Sequence, residues 1–437
     1  MRRTIALTST LNKTKTYKEK RDKYILPAVK HLYKDAPLFV KGKNQFLYDE
    51  TGKEYLDLFA GIVTVSVGHC NDRVLEATIK QASTLQHTST IFMTQPMVDL
   101  AEKLAKITPG NLEVSFITNS GTEANEAAIR LARLKSGKSE VIALEHSYHG
   151  ESHLASSLTG NHNWRPNLPA ANSIVFAANP YCYRCPFKKT PDNCSLECVK
   201  DVERVIQTQT SGSAACMIAE PIQGVGGAIT PPDDYFKELM VVLKKYGIYL
   251  IADEVQTGFG RTGQAMFGIT SYGVEPHIMT MAKGLANGIP IGAMITTSEM
   301  AQACSKQQIN TFGGNPISCA TAIAVIDTVV EEKLMENCHN IGNYLLNSLK
   351  ELQKDFPILA DIRGKGLMLG VEIADKDKTP LTDLTAKIVE DLKDNGIIIG
   401  KGGIFGNVLR IKPPMIVNKG NIEMFLQQFQ KTLTKLK

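Results

Sequence analysis

The sequence predicts an α/β fold: a large domain with a mostly parallel sheet flanked by helices, and a smaller α+β domain built from both ends of the chain. Short apolar runs bounded by turn residues alternate with helical patterns through the middle of the chain, which is typical of buried parallel strands joined by helices. The chain also has 437 residues, more than one hydrophobic core usually holds. The predicted strands of the large sheet are residues 114–118, 141–144, 215–219, 248–252, 278–281 and 292–296.

The two ends of the chain have a different pattern from the middle. Residues 46–57 alternate around an acidic, glycine-containing turn and predict a β-hairpin. From Leu334 a long amphipathic helix is followed by a further alternation of helices and strands. We therefore predict four segments along the chain. They are a mobile N-terminal arm over residues 1–20, parts of the small domain over 21–75 and 329–437, and a large domain over 76–328 with an irregular polar insertion at 160–212.

Composition and charge set bounds on partners and compartment. Apolar residues make up 43% of the chain and charged residues 21%, as in an ordinary globular protein. The net charge of +5 is spread without a dense basic block, so no nucleic-acid partner is expected. No apolar run approaches the roughly 20 residues of a membrane helix, so no membrane partner is expected either. Nine cysteines without a secretory segment predict a cytoplasmic protein, and the basic, threonine-rich residues 1–16 leave the mitochondrial matrix as the alternative.

An acid and a lysine follow two of the predicted strands. Asp253 comes directly after the run 248–252, and Lys283 follows the run 278–281. Because open α/β sheets bind ligands at the carboxyl ends of their strands, both side chains are expected at one site. The pair suits pyridoxal phosphate, which a lysine holds as a Schiff base while an acid pairs with its ring nitrogen. The plain alternative is a lysine before a glycine-rich turn and an acid that caps a loop.

The segment after the first predicted strand is typical of a phosphate site. Ser120 and Glu123 have the spacing of a capping box, and a helical pattern begins directly after Gly121. A helix start that opens on glycine offers free backbone N–H groups and the positive end of the helix dipole to an anion. Tyr148 and Glu220 follow two further strands, so an aromatic ring and a second acid are expected at the same edge.

Four cysteines in the insertion have the spacing of a metal knuckle. Two close pairs of thiolates can meet one tetrahedral zinc ion, and four thiolates would leave no open position for catalysis. The alternative is that packing orders the loop and leaves the thiols free. The sequence therefore gives a tentative structural zinc site formed by Cys182, Cys185, Cys194 and Cys198.

Taken together, these residues resemble the class III aminotransferases of the pyridoxal phosphate fold type I superfamily, and within it the mitochondrial-type alanine-glyoxylate branch and its bacterial relatives. The resemblance extends from about residue 20 to the end of the chain. The segments that carry it most specifically are FAGIVTVSVGHC at residues 59–70, AEPIQGV at 219–225 and MAKG at 281–284.

The resemblance implies a role for each candidate cofactor residue. Lys283 forms the Schiff base, Asp253 pairs with the ring nitrogen, and Gln256 reaches the phenolic oxygen of the ring. Tyr148 stacks on the ring. The residues implied to hold the phosphate are Ser120, Gly121 and Thr122, with Thr311 from the neighbouring subunit of a homodimer.

The resemblance also implies a substrate class. Arg410 matches the arginine that clamps a substrate carboxylate, and Glu220 matches the acid that pairs with it between half-reactions; a planar guanidinium suits a carboxylate because it binds both oxygens. The implied reaction is a ping-pong transamination from alanine or a β-/ω-amino acid to a small 2-oxo acid such as glyoxylate or pyruvate. The alternatives are a 4-aminobutyrate or ω-amine transaminase and, from a different class, a non-catalytic cofactor-binding or zinc-stabilised interaction protein.

Overall fold

A seven-stranded sheet forms the centre of the chain in the computed structural model, which describes residues 14–166 and 170–436. Gly292–Thr296 runs antiparallel to both of its neighbours, and the other strands of this sheet run parallel to one another. The predicted α/β fold with a mostly parallel sheet is therefore confirmed. In spatial order the strands are Val114–Thr118, Gly292–Thr296, Ile278–Met281, Tyr249–Asp253, Ala214–Ala219, Glu140–Leu144 and Ile174–Ala177.

Both faces of this sheet are covered, which explains why its strands are almost continuously apolar. In the strand Glu140–Leu144, Val141 and Ala143 belong to one buried cluster and Ile142 and Leu144 to another, because successive strand side chains point to opposite faces. The helices around the sheet are Asp72–Thr84, Gln95–Ile107, Gly121–Ser136, Glu197–Gln209, Tyr235–Tyr246 and Pro316–Glu331.

The two ends of the chain pack together around a separate buried cluster. Ile397–Ile398 pairs in parallel with Glu54–Asp57, the second strand of the predicted hairpin, and so joins the two ends in one sheet. The first small sheet is Phe39–Lys43, Phe46–Asp49, Glu54–Asp57 and Ile397–Ile398, and the second is Leu359–Lys365, Met368–Ile373, Val408–Ile411 and Gly400–Gly402. The helices that cover them are Leu334–Asp355, Thr382–Asp394 and Lys419–Leu436.

Two expectations about irregular segments need correction. The insertion 160–212 is not irregular throughout, because Ile174–Ala177 is an edge strand of the large sheet and Glu197–Gln209 is a helix. That helix buries Val202 and Val205 on the side that faces the core, and its polar residues hid this pattern. Of the predicted mobile arm, residues 1–13 lie outside the described residues, and residues 14–20 belong to a helical segment, 14–24.

The remaining elements are short and lie between the main ones. None of the helices in the described parts of the chain combines the length and the apolar character that a membrane crossing requires. The short α-helices are His153–Ser157 and Ser298–Ala301, and the 3-10 turns are His162–Trp164, Cys182–Arg184, Pro191–Asn193, Gly268–Tyr272 and Lys283–Leu285. Ala60–Val63 is a left-handed turn, because all four of its residues have a positive φ.

Candidate active site

The carboxyl ends of several strands of the large sheet surround one cavity of about 230 Å³. Asp253 ends its strand opposite Thr280 of the neighbouring parallel strand, and Lys283 follows that neighbour directly. The predicted site residues that line the cavity are Ser120, Gly121, Thr122, Tyr148, Glu220, Asp253, Gln256 and Lys283. The lining also includes Asn125, His149, Gly150, Glu151, Val255 and Ala282, whereas Thr311 and Arg410 are not part of it.

Asp253 is held in one orientation by three hydrogen bonds. Its Oδ2 accepts from Asn125 Nδ2 at 2.9 Å and lies 2.7 Å from His149 Nδ1, and its Oδ1 accepts from the backbone N–H of Val255 at 3.1 Å. The carboxylate is only 3% exposed. Asn125 is itself fixed, because its Oδ1 accepts from Thr280 Oγ1 at 2.6 Å. The carboxylate is therefore fixed at the carboxyl end of its strand, where it can pair with a cation or a protonated ring nitrogen.

His149 completes this arrangement from behind the acid. A carboxylate can only accept hydrogen bonds, so the Nδ1 atom of His149 must carry the proton that faces Asp253. The other ring nitrogen, Nε2, is buried and has no hydrogen-bond partner among the described residues. The ring therefore acts as a fixed donor to Asp253.

Lys283 begins a short turn whose backbone is strained. Its φ of 42° lies in the left-handed region, which a non-glycine residue rarely adopts. The amine opens on the cavity. Burial lowers the pKa of Lys283, while Asp253 and Glu220 oppose that change. An amine with a lowered pKa loses its proton more readily and is a better nucleophile.

The helix Gly121–Ser136 points its N-terminus at the cavity. Ser120 is the N-cap, and its side chain accepts from the backbone N–H of Glu123 at 3.3 Å, so the predicted helix start is confirmed. The Glu123 carboxylate accepts from Asn119 instead of returning to Ser120. Backbone N–H groups of a first helical turn have no partner within the helix and are available to an anion. Thr122 adds a hydroxyl that lies 2.7 Å from Ser152 Oγ.

Glu220 is held by backbone donors. Its Oε1 accepts from the N–H of Tyr148 at 3.0 Å and its Oε2 from the N–H of Gly224 at 2.7 Å. Burial raises the pKa of Glu220, and the nearby Asp253 adds to the effect. The Tyr148 ring borders the cavity and meets Trp164 edge-on, with 5.5 Å between ring centroids.

Arg410 lies behind the cavity as a buried cation without a carboxylate partner. Its side chain lies over the ring of Phe59 at 5.1 Å from the centroid, and its Nε has no hydrogen-bond partner in the described part of the chain. Among the residues that the structure describes, no carboxylate lies within 4.0 Å of the Arg410 guanidinium, so the predicted pairing of Glu220 with Arg410 is not formed in this structure. Burial lowers the pKa of Arg410 to about 10, against the opposing effect of Glu220.

A second buried cation contacts the predicted cofactor residue Gln256. Lys412 is fully buried, and its Nζ donates to Gln256 Oε1 at 2.9 Å and to the carbonyl of Gly224 at 3.2 Å. Burial lowers the pKa of Lys412 well below its ordinary value, and Arg410 lowers it further. The Gln256 carboxamide is thereby tied to the strand that carries Arg410.

Thr311 lies outside the cavity of its own chain. The residue is exposed, and its neighbour Phe312 is 62% exposed. The loop is anchored near the start of the helix Gly121–Ser136, because Asn310 Nδ2 donates to Glu123 at 2.8 Å and Asn310 Oδ1 accepts from Asn119 at 2.9 Å. An exposed threonine next to an exposed aromatic ring is compatible with a contact to a second subunit.

Sequence reasoning missed three residues of this site. Asn125 lies one helical turn after Gly121, and His149 follows Tyr148, so both positions are adjacent to predicted residues. Lys412 had a clearer signal, because a lysine directly after a buried apolar strand is unusual unless it has a partner.

The four cysteines of the insertion do not form the predicted zinc site. They surround one small pocket of about 20 Å³, and all four are free thiols. Within the described ranges, no group of three or more His, Cys, Asp or Glu side chains has an arrangement that could hold a metal ion. One thiol donates to a carboxylate, Cys194 Sγ to Glu197 Oε2 at 3.0 Å, and burial raises the pKa of Cys182 and, to about 12, that of Cys198. Because no three of the described side chains have an arrangement that could hold a metal ion, the structure favours the alternative in which packing orders Cys182, Cys185, Cys194 and Cys198 as thiols.

Comparison with known proteins agrees with this geometry. The family model for class III aminotransferases matches residues 29–433. The chain is 41% identical to "Alanine--glyoxylate aminotransferase 2 homolog 2, mitochondrial" of Arabidopsis thaliana over 420 residues, which are 95% of this chain and 87% of that protein. Its structure is similar to that of an aminotransferase from Bacillus anthracis, with a TM-score of 0.91, 32% identity and coverage of 97% and 99% of the two chains. It is also similar to an (S)-enantioselective omega-transaminase from Thermomicrobium roseum, with a TM-score of 0.89, 32% identity and coverage of 96% and 98%. A family match over almost the whole chain, together with the lysine and the acid at adjacent strand ends, shows that the chain belongs to the class III aminotransferases, which are pyridoxal phosphate-dependent enzymes of amino-group transfer.

Proposed function

We propose that the cavity at the edge of the large sheet holds pyridoxal phosphate and that Lys283 is its covalent attachment point. The observation that carries this proposal is the pair of adjacent strand ends. One end leads to an amine that opens on the cavity and has a lowered pKa, and the other presents a carboxylate that three donors fix in place. The donor set fits the group, because an anion site, an acid and an amine border one cavity. When bound, pyridoxal phosphate supplies an electron sink for the substrate's α-carbon.

Each residue of the cavity then has a defined task. Asp253 keeps a proton on the ring nitrogen, with Asn125 and His149 holding its carboxylate in place. The first-turn N–H groups at Gly121, with the hydroxyls of Ser120 and Thr122, bind the phosphate. The Tyr148 ring would cover one face of the cofactor, and the Gln256 carboxamide would donate to the phenolic oxygen. The amine of Lys283, when it is not bound to the cofactor, would accept the proton of the substrate's α-carbon and return it.

We propose that Arg410 selects amino acids and 2-oxo acids over simple amines. Its guanidinium is 5% exposed and has no carboxylate partner in the described residues. A buried, unpaired guanidinium is a strong site for a bidentate carboxylate, because both groups are planar and the charge is then compensated. Glu220 raises the pKa of Arg410 through its negative charge, which supports a role for this acid as the partner of Arg410 while no carboxylate is bound.

Alanine or a β-amino acid is the proposed donor, with glyoxylate or pyruvate as acceptor. The support is the relative that is 41% identical and is described as an alanine--glyoxylate aminotransferase. An ω-amine transaminase is the second candidate, because a solved structure with that description has the same fold at 32% identity. The Arabidopsis thaliana relative is described as mitochondrial, which favours the mitochondrial matrix over the cytoplasm as the compartment of this enzyme.

We propose further that the enzyme works as a homodimer and that Thr311 contributes to the phosphate site of the other subunit. The exposed Phe312 and Ile309 flank this threonine and would be covered by such a contact. The proposed domain division is a small domain from residues 21–75 and 329–437 around a large domain from 76–328. It is supported by the buried cluster that both ends of the chain share, which includes Leu56 and Leu409.

One labelling experiment and one substrate panel test the proposal. Borohydride reduction of the protein with pyridoxal phosphate, followed by peptide mapping, should place the label on Lys283, and a label on another lysine would refute the assignment. Lys283→Ala should lose both the label and turnover. A panel of amino donors and acceptors should give its highest kcat/KM with alanine or a β-amino acid and glyoxylate or pyruvate, and higher values for simple amines would favour the ω-amine candidate.

A further inference from the structure

Lys412 is a buried cation that the proposed mechanism does not use. Its side chain is fully buried, and it follows the strand Val408–Ile411 that carries Arg410. Burying an amine is unfavourable, because the amine loses its hydration and gains at most a few hydrogen bonds in return. Its two acceptors are Gln256 Oε1 at 2.9 Å and the carbonyl of Gly224 at 3.2 Å. Gln256 lines the candidate active site, and Gly224 is hydrogen bonded to Glu220, which also lines it.

One atom of the Gln256 carboxamide faces Lys412. The Gln256 atom that lies 2.9 Å from Lys412 Nζ is the carboxamide oxygen, which accepts a hydrogen bond from the lysine. An ammonium has three N–H groups and a neutral amine two, so either protonation state can supply both hydrogen bonds. With its oxygen turned toward Lys412, the carboxamide has only its NH2 group left to offer to the cavity.

Gly224 lies close against the same carboxamide. A Cβ at Gly224 would lie 2.3 Å from Gln256 Oε1 and 2.4 Å from its Cδ, so no side chain fits between them. Gly224 also links Glu220 to Lys412, because its N–H donates to the Glu220 carboxylate at 2.7 Å and its carbonyl accepts from Lys412 Nζ. The carboxamide is therefore fixed by one donor and one close backbone contact.

We propose that Lys412 is a positioning residue that orients the Gln256 carboxamide so that it can only donate a hydrogen bond to the bound cofactor, at the phenolic oxygen. This inference rests on the proposed binding of pyridoxal phosphate in the same cavity. An oriented donor at that oxygen stabilises the form of the cofactor with more negative charge there, which is the form that has lost its shared proton. Lys412 thus acts through Gln256 on the affinity and the proton equilibrium of the cofactor.

The main test replaces Lys412 with methionine and measures the cofactor, not turnover. Titration of the apoprotein with pyridoxal phosphate should show roughly tenfold weaker affinity, the effect of one hydrogen bond to a charged or strongly polar group. The pKa read from the absorbance of the lysine-bound cofactor should rise by about one unit, because the more negative form has lost its donor. Unchanged affinity and an unchanged absorbance titration in Lys412→Met would overturn the proposal.

A double-mutant cycle separates orientation from general damage to the fold. In a Gln256→Leu background, Lys412→Met should change affinity by less than about twofold, because the group that it orients is already gone. A tenfold loss of affinity for pyridoxal phosphate in the Gln256→Leu background would contradict the proposal that Lys412 acts through Gln256. The matched control is Lys393→Met, which removes another buried lysine, one whose Nζ pairs with Glu390 and Asp394 far from the cavity. It should leave both cofactor readouts unchanged.

A second variant tests the same role of Lys412 and Gln256 if Lys412→Met does not fold. Gly224→Ala displaces the carboxamide directly while Lys412 stays in place, and the φ of Gly224 lies outside the left-handed region, so alanine can adopt it. The same rise in pKa is expected there, and an unchanged titration would overturn the proposal. Failure of the proposed function would look different, because wild-type protein would then fail to bind pyridoxal phosphate at Lys283.

Discussion

Replacing Arg410 with lysine would test how the enzyme recognises its substrate. The guanidinium has no carboxylate partner among the described residues and is 5% exposed, so a substrate carboxylate would be its main counter-charge. Lysine keeps the positive charge, but its ammonium cannot bind both carboxylate oxygens in the bidentate geometry of a guanidinium, and its side chain is shorter. Losing one charged, bidentate contact costs about 1.5 to 3 kcal/mol, which is roughly a ten- to hundredfold decrease in kcat/KM for alanine and glyoxylate.

The assay compares two donors that differ in the carboxylate. Steady-state kcat/KM is measured for alanine and for a primary amine without a carboxyl group, with the same acceptor used for both, and the half-reaction of each donor is followed separately by absorbance. The amine makes no contact with Arg410, so its half-reaction should change by less than about threefold while that of alanine falls. Equal losses for both donors in Arg410→Lys would refute the reasoning, because they would mean that the residue supports the fold and not the substrate.

Three further outcomes are expected. Asp253→Asn should lower kcat and kcat/KM together by roughly a hundredfold or more, because an amide cannot keep the ring nitrogen protonated, and near-wild-type turnover would exclude the role. Burial raises the pKa of Glu254 from an ordinary value of about 4.5 to about 7. The folded state therefore binds this proton more tightly than the unfolded state, and the resulting contribution to the free energy of unfolding is lost as the pH rises from about 4.5 through 7. Compared with Glu254→Gln in denaturant titrations, the wild type should lose roughly 3 kcal/mol of unfolding free energy across that window, and parallel curves would contradict the assignment. Metal analysis should find no stoichiometric zinc and a thiol reagent should titrate the insertion under denaturing conditions, whereas about one zinc per chain would reverse our conclusion for Cys182, Cys185, Cys194 and Cys198.

The large sheet was predictable because its strands are short, apolar and bounded by turns. Ile278–Met281 and Gly292–Thr296 have the bounds that the sequence predicts, since burial on both faces leaves a continuous apolar run with clear ends. Asp253 and Lys283 were predictable for a related reason. A charged residue directly after such a run must lie at the carboxyl edge of the sheet, where neighbouring parallel strands bring their ends together.

The elements that the sequence did not reveal depend on contacts between distant segments. Ile174–Ala177 is only four residues long and becomes a strand because Glu140–Leu144 offers it a free edge. The hydrogen bond from Lys412 to Gln256 joins residues 156 positions apart, and no local pattern encodes such a pair. The missing zinc site has the same origin, because cysteine spacing allows four thiols to converge but does not fix the distances between them. Those distances depend on the packed fold, and no three of the described side chains have an arrangement that could hold a metal ion.

The charges buried around the cavity explain why these features occur together. The nearby basic groups are Lys283, Arg410, Lys412 and Arg261, and the facing acids are Glu220 and Asp253. No carboxylate lies within 4.0 Å of any of these four groups in the described residues, and Arg261 instead donates to the backbone carbonyls of Pro413 and Leu367. Burial lowers the pKa values of all four groups, so the two lysines lose their charge more readily, whereas an arginine keeps its charge. A buried guanidinium without a carboxylate partner is unfavourable for folding. A substrate carboxylate would supply the missing counter-charge at Arg410, so this part of the site is complete only when its anionic ligand is bound, at the expense of stability in its absence.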